Sequence, residues 1–342
     1  MKNENTRKTL KDIAAEAKLS VATVSQILND KPCNFSSEKT KRKVKSIAHQ
    51  MGYRPNIGYK IMMGHKTQTV GIIIGFSNTR SDEHIQKLIL HLNEILLKNG
   101  YASYVCTLSL NENENISTIE DLIHRGVEHF VMLGSPRGIE KIQVLFHRYD
   151  KTYIGFNSVL DRNLNFDIVS AVKAILEFFL NEGRTNFKMV LLDQGKSTFL
   201  EDRFIALKNI LQGRDNEELW NKYIYPIPYS YETTIEFEEY AFLKGYEATR
   251  EIMQKDFFVQ AIFYTNDNFA IGGVKYLVEN DYKIGKDIAV AGFNNIHAVR
   301  YNPFPVSSVE HNIDHISKVL LEELFKKTPF LALEKPEIHI RK

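Results

Sequence analysis

The stretch "LKDIAAEAKLSVATVSQILND", residues 10–30, leaves the chain few ways to fold. Leu10, Ile13, Ala14 and Ala17 repeat at helical spacing, and so do Val24, Ile27 and Leu28. Only "KLS" separates the two stripes, so the spacing predicts one helix over 9–17 and another over 21–29. Ser20 stands where a helix N-cap belongs. Helices this short are marginal alone and must pack on something. A third stripe supplies the partner: Val44, Ile47, Ala48 and Met51 repeat the spacing in a helix opening near Ser37. Glu38 falls in its first turn, where a negative charge suits the helix dipole, and Gly52 follows as a stop. Three stripes can close one small core.

The second helix is unusual on its other face. Ala22, Ser25, Gln26 and Asn29 are small or neutral, where a solvated helix ordinarily carries Lys and Glu. The charge is also unevenly placed. The whole chain has a formal charge of only +2, yet residues 1–66 hold 14 Lys or Arg against 5 Asp or Glu, and the rest hold 30 against 37. A basic head on an acidic body points to a polyanionic partner for the head alone. A solubilising tail would account for the charge, but tails lack apolar periodicity. Packing against another protein domain would account for the quiet face, but not for the run "KTKRKVK" at 39–45, which suits flanking phosphates. In a helix-turn-helix the second helix enters the major groove, where long like-charged side chains would crowd the base edges. Gln26 can pair there with adenine N6 and N7. The partner expected is double-stranded DNA.

From residue 69 the pattern changes to short apolar strands alternating with amphipathic helices. "TVGIII", "YASYVCTL", "HFVML" and "YIGFN" read as strands. So do "FKMVLLD", "KYIYPI", "AIFYTND" and "DIAVAGF". Such alternation predicts an α/β body of two doubly wound parallel sheets, with ligands near the carboxyl ends of the strands and in the cleft between lobes. The glycines of "GGVKY" at 272–276 lie inside a helix and read as packing contacts. There is no Walker loop, no nucleophile elbow, no His-Glu-x-x-His and no metal spacing of Cys or His, so no catalytic residue, metal or cofactor is expected. Cys33 and Cys106 form no redox motif. The start "MKNENTRKTLKD" is no secretory signal, and no run is apolar enough to span a membrane. The expected location is the cytoplasm.

"TLKDIAAEAKLSVATVSQILN", followed by "GYRPN", resembles the head of the lactose-repressor family of bacterial transcription regulators, and the likeness continues through nearly the whole chain. The resemblance implies that Val21, Ala22 and Gln26 read bases, while Thr9, Ser20, Thr23, Ser25 and Asn29 position phosphates. It departs at Lys18, where the family has Gly. It implies a head over 1–54 and a hinge over 55–68 whose short helix forms over the minor groove. Met62 there takes the place of a wedging Leu, and Tyr59 that of a small Ala. Residues 69–342 then form a periplasmic-binding-protein-like body. Its chain crosses between lobes near 160, 294 and 327, giving lobe one 69–160 with 295–326 and lobe two 161–294 with 327–342. Ser77, Asn78, Arg203, Tyr240, Asn266, Asp267 and Asn294 fall at the family's effector positions. Tyr240 reads equally well as a core aromatic, and a surface ion pair is the lesser alternative for Arg203. Asn294 and Asn78 replace carboxylates common in sugar-responsive members.

The resemblance implies a repressor on a palindromic operator, switched by a small sugar-like effector. "EIHIRK" lacks the heptad-rich tail of tetrameric members, so a homodimer is expected. The alternative is control by a docking phosphoprotein.

Overall fold

The computed structural model describes residues 8–28, 36–53, 66–75, 83–193, 198–228 and 237–342. Two compact units divide between Thr67 and Gln68. The first contains α1 (Leu10–Ala17), α2 (Val21–Leu28) and α3 (Glu38–Gln50). Each begins where its cap directs. The Asp12 carboxylate accepts from Thr9 N at 2.7 Å and from Thr9 Oγ1 at 2.8 Å, while Thr9 Oγ1 accepts from Asp12 N, a reciprocal capping box. Ser20 Oγ accepts from Thr23 N at 3.1 Å, and Ser37 Oγ from Thr40 N at 3.3 Å. Lys18 makes the turn in the left-handed conformation (φ 57°, ψ 48°), so the family's glycine position keeps its geometry with a lysine in it. The Cβ costs about 1 kcal/mol there. Ile13, Ala14, Ala17, Val24, Ile27, Val44 and Ala48 close the core as the three stripes predict.

In the second unit the chain lays down β1 (Thr69–Ile74), β2 (Ala102–Thr107), β3 (His129–Leu133), β4 (Thr152–Phe156) and β5 (Arg162–Phe166). It then forms β6 (Phe187–Asp193), β7 (Ile224–Pro228), β8 (Ala261–Tyr264), β9 (Ala289–Phe293) and β10 (Val306–Glu310), and finishes with β11 (Phe330–Glu334) and β12 (Glu337–His339). Among the described residues these make two six-stranded sheets, ordered β11-β5-β4-β3-β1-β2 and β12-β10-β9-β8-β6-β7. Every pairing is parallel except β10 with β12. Parallel strands need crossover helices to return the chain. In lobe one these are α4 (Glu83–Lys98), α5 (Glu112–His124) and α6 (Ile139–Arg148). In lobe two they are α7 (Ile168–Asn181), α8 (Thr198–Ile210), α9 (Asn216–Tyr223), α10 (Phe237–Lys255), α11 (Asp267–Glu279) and the single-turn α12 (His297–Arg300), while α13 (Ile313–Leu324) returns to lobe one.

The crossings fall later than the sequence suggests. β5 completes the first sheet and α7 packs in the second lobe's core, so the first crossing lies near 167 rather than 160. β10 belongs to the second sheet and Ile316, Leu320 and Leu324 of α13 pack in the first lobe. The second crossing is therefore at 311–312, not 294, and residues 295–310 belong to lobe two. β11 lies in the first sheet and β12 in the second, which moves the third crossing from 327 to 335–336. The missed strands carry weak signals. "RNLNF" buries Arg162 and Asn163, and "VSSVE" buries Ser307 and Ser308, so neither reads as an apolar run. Arg162 is held inside the lobe through its Nη2, which donates to Glu323 O at 2.6 Å, while its buried Nε and Nη1 have no partner among the described residues.

The helical glycines act as contacts. A Cβ at Gly272 would overlap the Phe242 carbonyl oxygen, and one at Gly245 the Phe269 carbonyl oxygen, so α10 and α11 touch backbone to backbone. Gly272→Ala is expected to destabilise the body by about 3 kcal/mol, because backbone cannot yield as a side chain would. Urea unfolding followed by Trp220 fluorescence measures it, and a loss under about 0.5 kcal/mol would contradict the close crossing.

Candidate nucleic-acid interface and interlobe cleft

Helix α2 buries Val24 and Ile27 and presents Val21, Ala22 and Gln26 to solvent, with Val21 41% exposed. An exposed Val beside an Ala and a Gln gives a helix face that is flat, uncharged and able to approach closely. Ser20, Thr23 and Ser25 flank it, the Ser20 and Thr23 hydroxyls lying 2.8 Å apart. Thr9 caps α1, with its hydroxyl turned to Asp12. In the basic run, Lys41 pairs with Glu38 at 2.8 Å, and Lys39, Arg42, Lys43 and Lys45 are exposed. The Glu38 carboxyl is held below its usual range by that hydrogen bond from Lys41. Asn29, Tyr59 and Met62 lie outside the described residues.

In the body, the carboxyl ends of β8 and β9 bring several predicted residues into one region. Arg203 of α8 sets its guanidinium 5.5 Å from the centre of the Phe293 ring at the end of β9. Burial lowers its pKa to about 10, so it stays cationic at neutral pH. Asn294, next in the chain, is half-buried with φ 99°, a left-handed conformation that asparagine tolerates better than most residues. Its N–H donates to Val309 O at 2.8 Å, fixing the strand end. Asn266 caps α11, its Oδ1 accepting from Asn268 N at 2.8 Å. Ser77 and Asn78 lie outside the described residues.

Two predicted residues stand elsewhere. Asp267 is fully buried. Its Oδ1 accepts from Ser308 Oγ at 2.7 Å and its Oδ2 from Ile296 N at 2.9 Å, so it ties the ends of β8, β9 and β10 together instead of offering a carboxylate to the cleft. One step past the helix cap, its side chain turns inward. Tyr240, 7% exposed, packs in the second lobe's core and donates from its hydroxyl to Pro228 O at 2.6 Å, the core alternative left open by its sequence.

The structure also reveals residues that sequence reading passed over. Phe166 at the end of β5 meets Phe293 edge-on at 5.7 Å, joining lobe to lobe. His311, in the second crossing, lies 4.0 Å from the Phe166 ring and 4.7 Å from His84, with which it stacks. Glu83, beside His84 in the first turn of α4, accepts from His297 N at 3.1 Å and faces the His297 ring across the lobes. A histidine just past a strand end was the available signal for His311. Single histidines carry little information without their neighbours.

A basic three-helix head with a quiet exposed second helix, followed by two doubly wound lobes, defines a DNA-reading regulator with a ligand-binding-type body. Residues 9–56 match the bacterial regulatory proteins of the lacI family, and residues 176–338 match a periplasmic binding protein-like domain. The chain is 22% identical over 348 residues to the HTH-type transcriptional repressor PurR of Histophilus somni, covering 98% of each. It is likewise 22% identical over 350 residues to the ribose operon repressor of Escherichia coli, covering 97% of this chain and 96% of that protein. The lac repressor dimer bound to operator and the anti-inducer ONPF has the same fold, with a TM-score of 0.79 at 14% identity over 98% and 99% of the two chains. The chain is therefore similar, along nearly its whole length, to repressors that carry a lacI-family head. It is a DNA-binding transcriptional repressor and not an enzyme. Among the described residues no helix is long and apolar enough to cross a membrane.

Burial raises the Asp267 pKa to about 7, with the Ser308 and Ile296 hydrogen bonds opposing. A carboxyl whose pKa rises on folding contributes stability below its unfolded value near 4 and loses that contribution as pH climbs through about 7. Comparing thermal midpoints from pH 4 to 8, wild type is expected to lose ground against Asp267→Asn as pH rises, on the order of 4 kcal/mol in full. A constant offset between the two proteins would mean Asp267 ionises normally.

Proposed function

We propose that the protein is a cytoplasmic homodimer that represses transcription from a palindromic operator and is switched by a small anionic sugar derivative bound between its lobes. The exposed, uncharged face of α2 on a basic head carries the DNA half of this reading. In it Val21, Ala22 and Gln26 read bases, and Thr9, Ser20, Thr23, Ser25 and Asn29 fix phosphates. Met62 wedges the central base step, with Tyr59 beside the groove floor. A two-fold dimer presents the same helix twice, hence the palindrome. No observation favours a docking phosphoprotein in place of a free metabolite.

Arg203, seated on Phe293 at the end of β9, carries the ligand half. Asn266 and Asn294 stand at neighbouring strand ends, while Ser77 and Asn78, which follow β1 in the sequence, lie outside the described residues. With Asn at 294 and 78 and with Asp267 enclosed, the Arg203 charge invites a ligand carboxylate or phosphate, which a guanidinium can grip with two parallel hydrogen bonds.

Gln26→Ala is expected to cost about 1–3 kcal/mol at one base pair of each half-site and to relax preference there. Operator selection with randomised half-sites reads this directly, and an unchanged preference would remove Gln26 from base reading. For the ligand, Arg203→Ala is expected to abolish the effector's influence on DNA affinity while leaving ligand-free operator binding intact, and Arg203→Lys to restore it poorly. Calorimetry with glucose, glucuronate and glucose 6-phosphate decides the class. Tight glucose binding with no gain for either acid would end the anionic assignment.

A further inference from the structure

His84 and His311 stack 4.7 Å apart at an interplanar angle of 11° where the lobes meet. His311 is only 6% exposed, and the Nδ1 of each ring is enclosed and has no hydrogen-bonding partner among the described residues. Leaving such an atom unsatisfied costs about 1–3 kcal/mol, so two together call for an explanation. The surroundings are aromatic: Phe166 lies 4.0 Å, Phe293 5.8 Å and Phe156 6.2 Å from His311. Phe293 is also the ring that seats Arg203. The imidazole pair and the guanidinium thus share one aromatic wall. A single metal ion does not suit the pair, because a metal lies in the plane of each ring that binds it and stacked rings occupy separate planes.

We propose that His84 and His311 are the proton-accepting half of the ligand site, so that an anion seated against Arg203 is bound together with one proton taken from solvent. This rests on the anionic-ligand reading above. Burial holds His84 down near 4 and, together with the adjoining His84, keeps His311 well below the usual imidazole range. Both rings are therefore neutral at pH 7. The carboxylates beside them are already engaged. Glu83 is met by Lys87, by the His297 N–H and by its ring, and Glu310 by Arg300, His339 and Asn295 Nδ2. Lys87 adds positive charge that opposes protonation of His84. A ligand anion reverses that balance. One imidazole then gains a proton on its unsatisfied nitrogen and donates it to the ligand, while the other remains a neutral face beneath it. A second proton is disfavoured by like charges at 4.7 Å.

The test uses the full-length protein with glucuronate, glucose 6-phosphate and inorganic phosphate, glucose being the neutral control. Calorimetry at pH 6 in two buffers of different ionisation enthalpy counts protons bound with each ligand. Uptake of up to one proton per site is expected with an anion and none with glucose, and the anion's affinity should fall by up to about tenfold per pH unit toward alkaline pH. The double variant His84→Gln/His311→Gln should remove the uptake, and each single variant identifies its ring. NMR of histidine Cε1–H resonances, assigned from the same variants, should show one of the two signals moving to its imidazolium position on saturation. An anion that binds in an Arg203-dependent manner without proton uptake overturns the inference and leaves the anionic-ligand reading standing. Failure of all three anions to bind while glucose binds overturns both.

Discussion

The body depends on an aromatic junction rather than on a continuous core. Each lobe has its own buried clusters around its own sheet, and the lobes meet through Phe166 and Phe293, with His311 between them and Phe156 and His84 alongside. Edge-on and tilted ring contacts are worth about 0.5–1.5 kcal/mol each beyond their area. They tolerate sliding better than interdigitated aliphatic side chains do. Stability therefore resides within the lobes, and the junction can be softer without endangering either. Arg203 takes one face of this junction, so a ligand that draws on Arg203 also acts on the contact between the lobes.

The head was legible in the sequence because its information is local. Caps, turn and stripes all lie within a few residues of one another, and Thr9, Ser20 and Ser37 each do what their positions suggest. Lys18 stands where the resembled family has Gly, and it takes the left-handed conformation that a glycine there would. The alternating strands of the body gave away the two sheets in the same manner. β5 and β10 did not declare themselves, since they bury polar residues whose contacts lie far along the chain, as that of Arg162 Nη2 with Glu323 O does. A strand of that kind cannot be found by periodicity.

The cleft was half legible for a related reason. Positions at strand ends follow from the order of elements, so Asn266 follows β8, Asn294 follows its neighbour β9, and Arg203 lies over Phe293 at the end of β9. The direction of a side chain does not. Asp267 and Tyr240 both turn inward and complete the interior of lobe two. His84 and His311 are 227 positions apart in sequence yet stack, which no local pattern can announce.

The order of strands has a further consequence for synthesis. β11 lies at one edge of the first sheet and β12 at one edge of the second, and both come from the short stretch 330–339. Arg341 then donates to Val306 O at 2.7 Å and to Asn295 Oδ1 at 2.8 Å, tying the loop after β9. Neither lobe has all of its described strands until residues 330–339 leave the ribosome. The two halves, although separate in their cores, are released to their finished form by one event, and a chain that stops short of it leaves two open sheet edges at once.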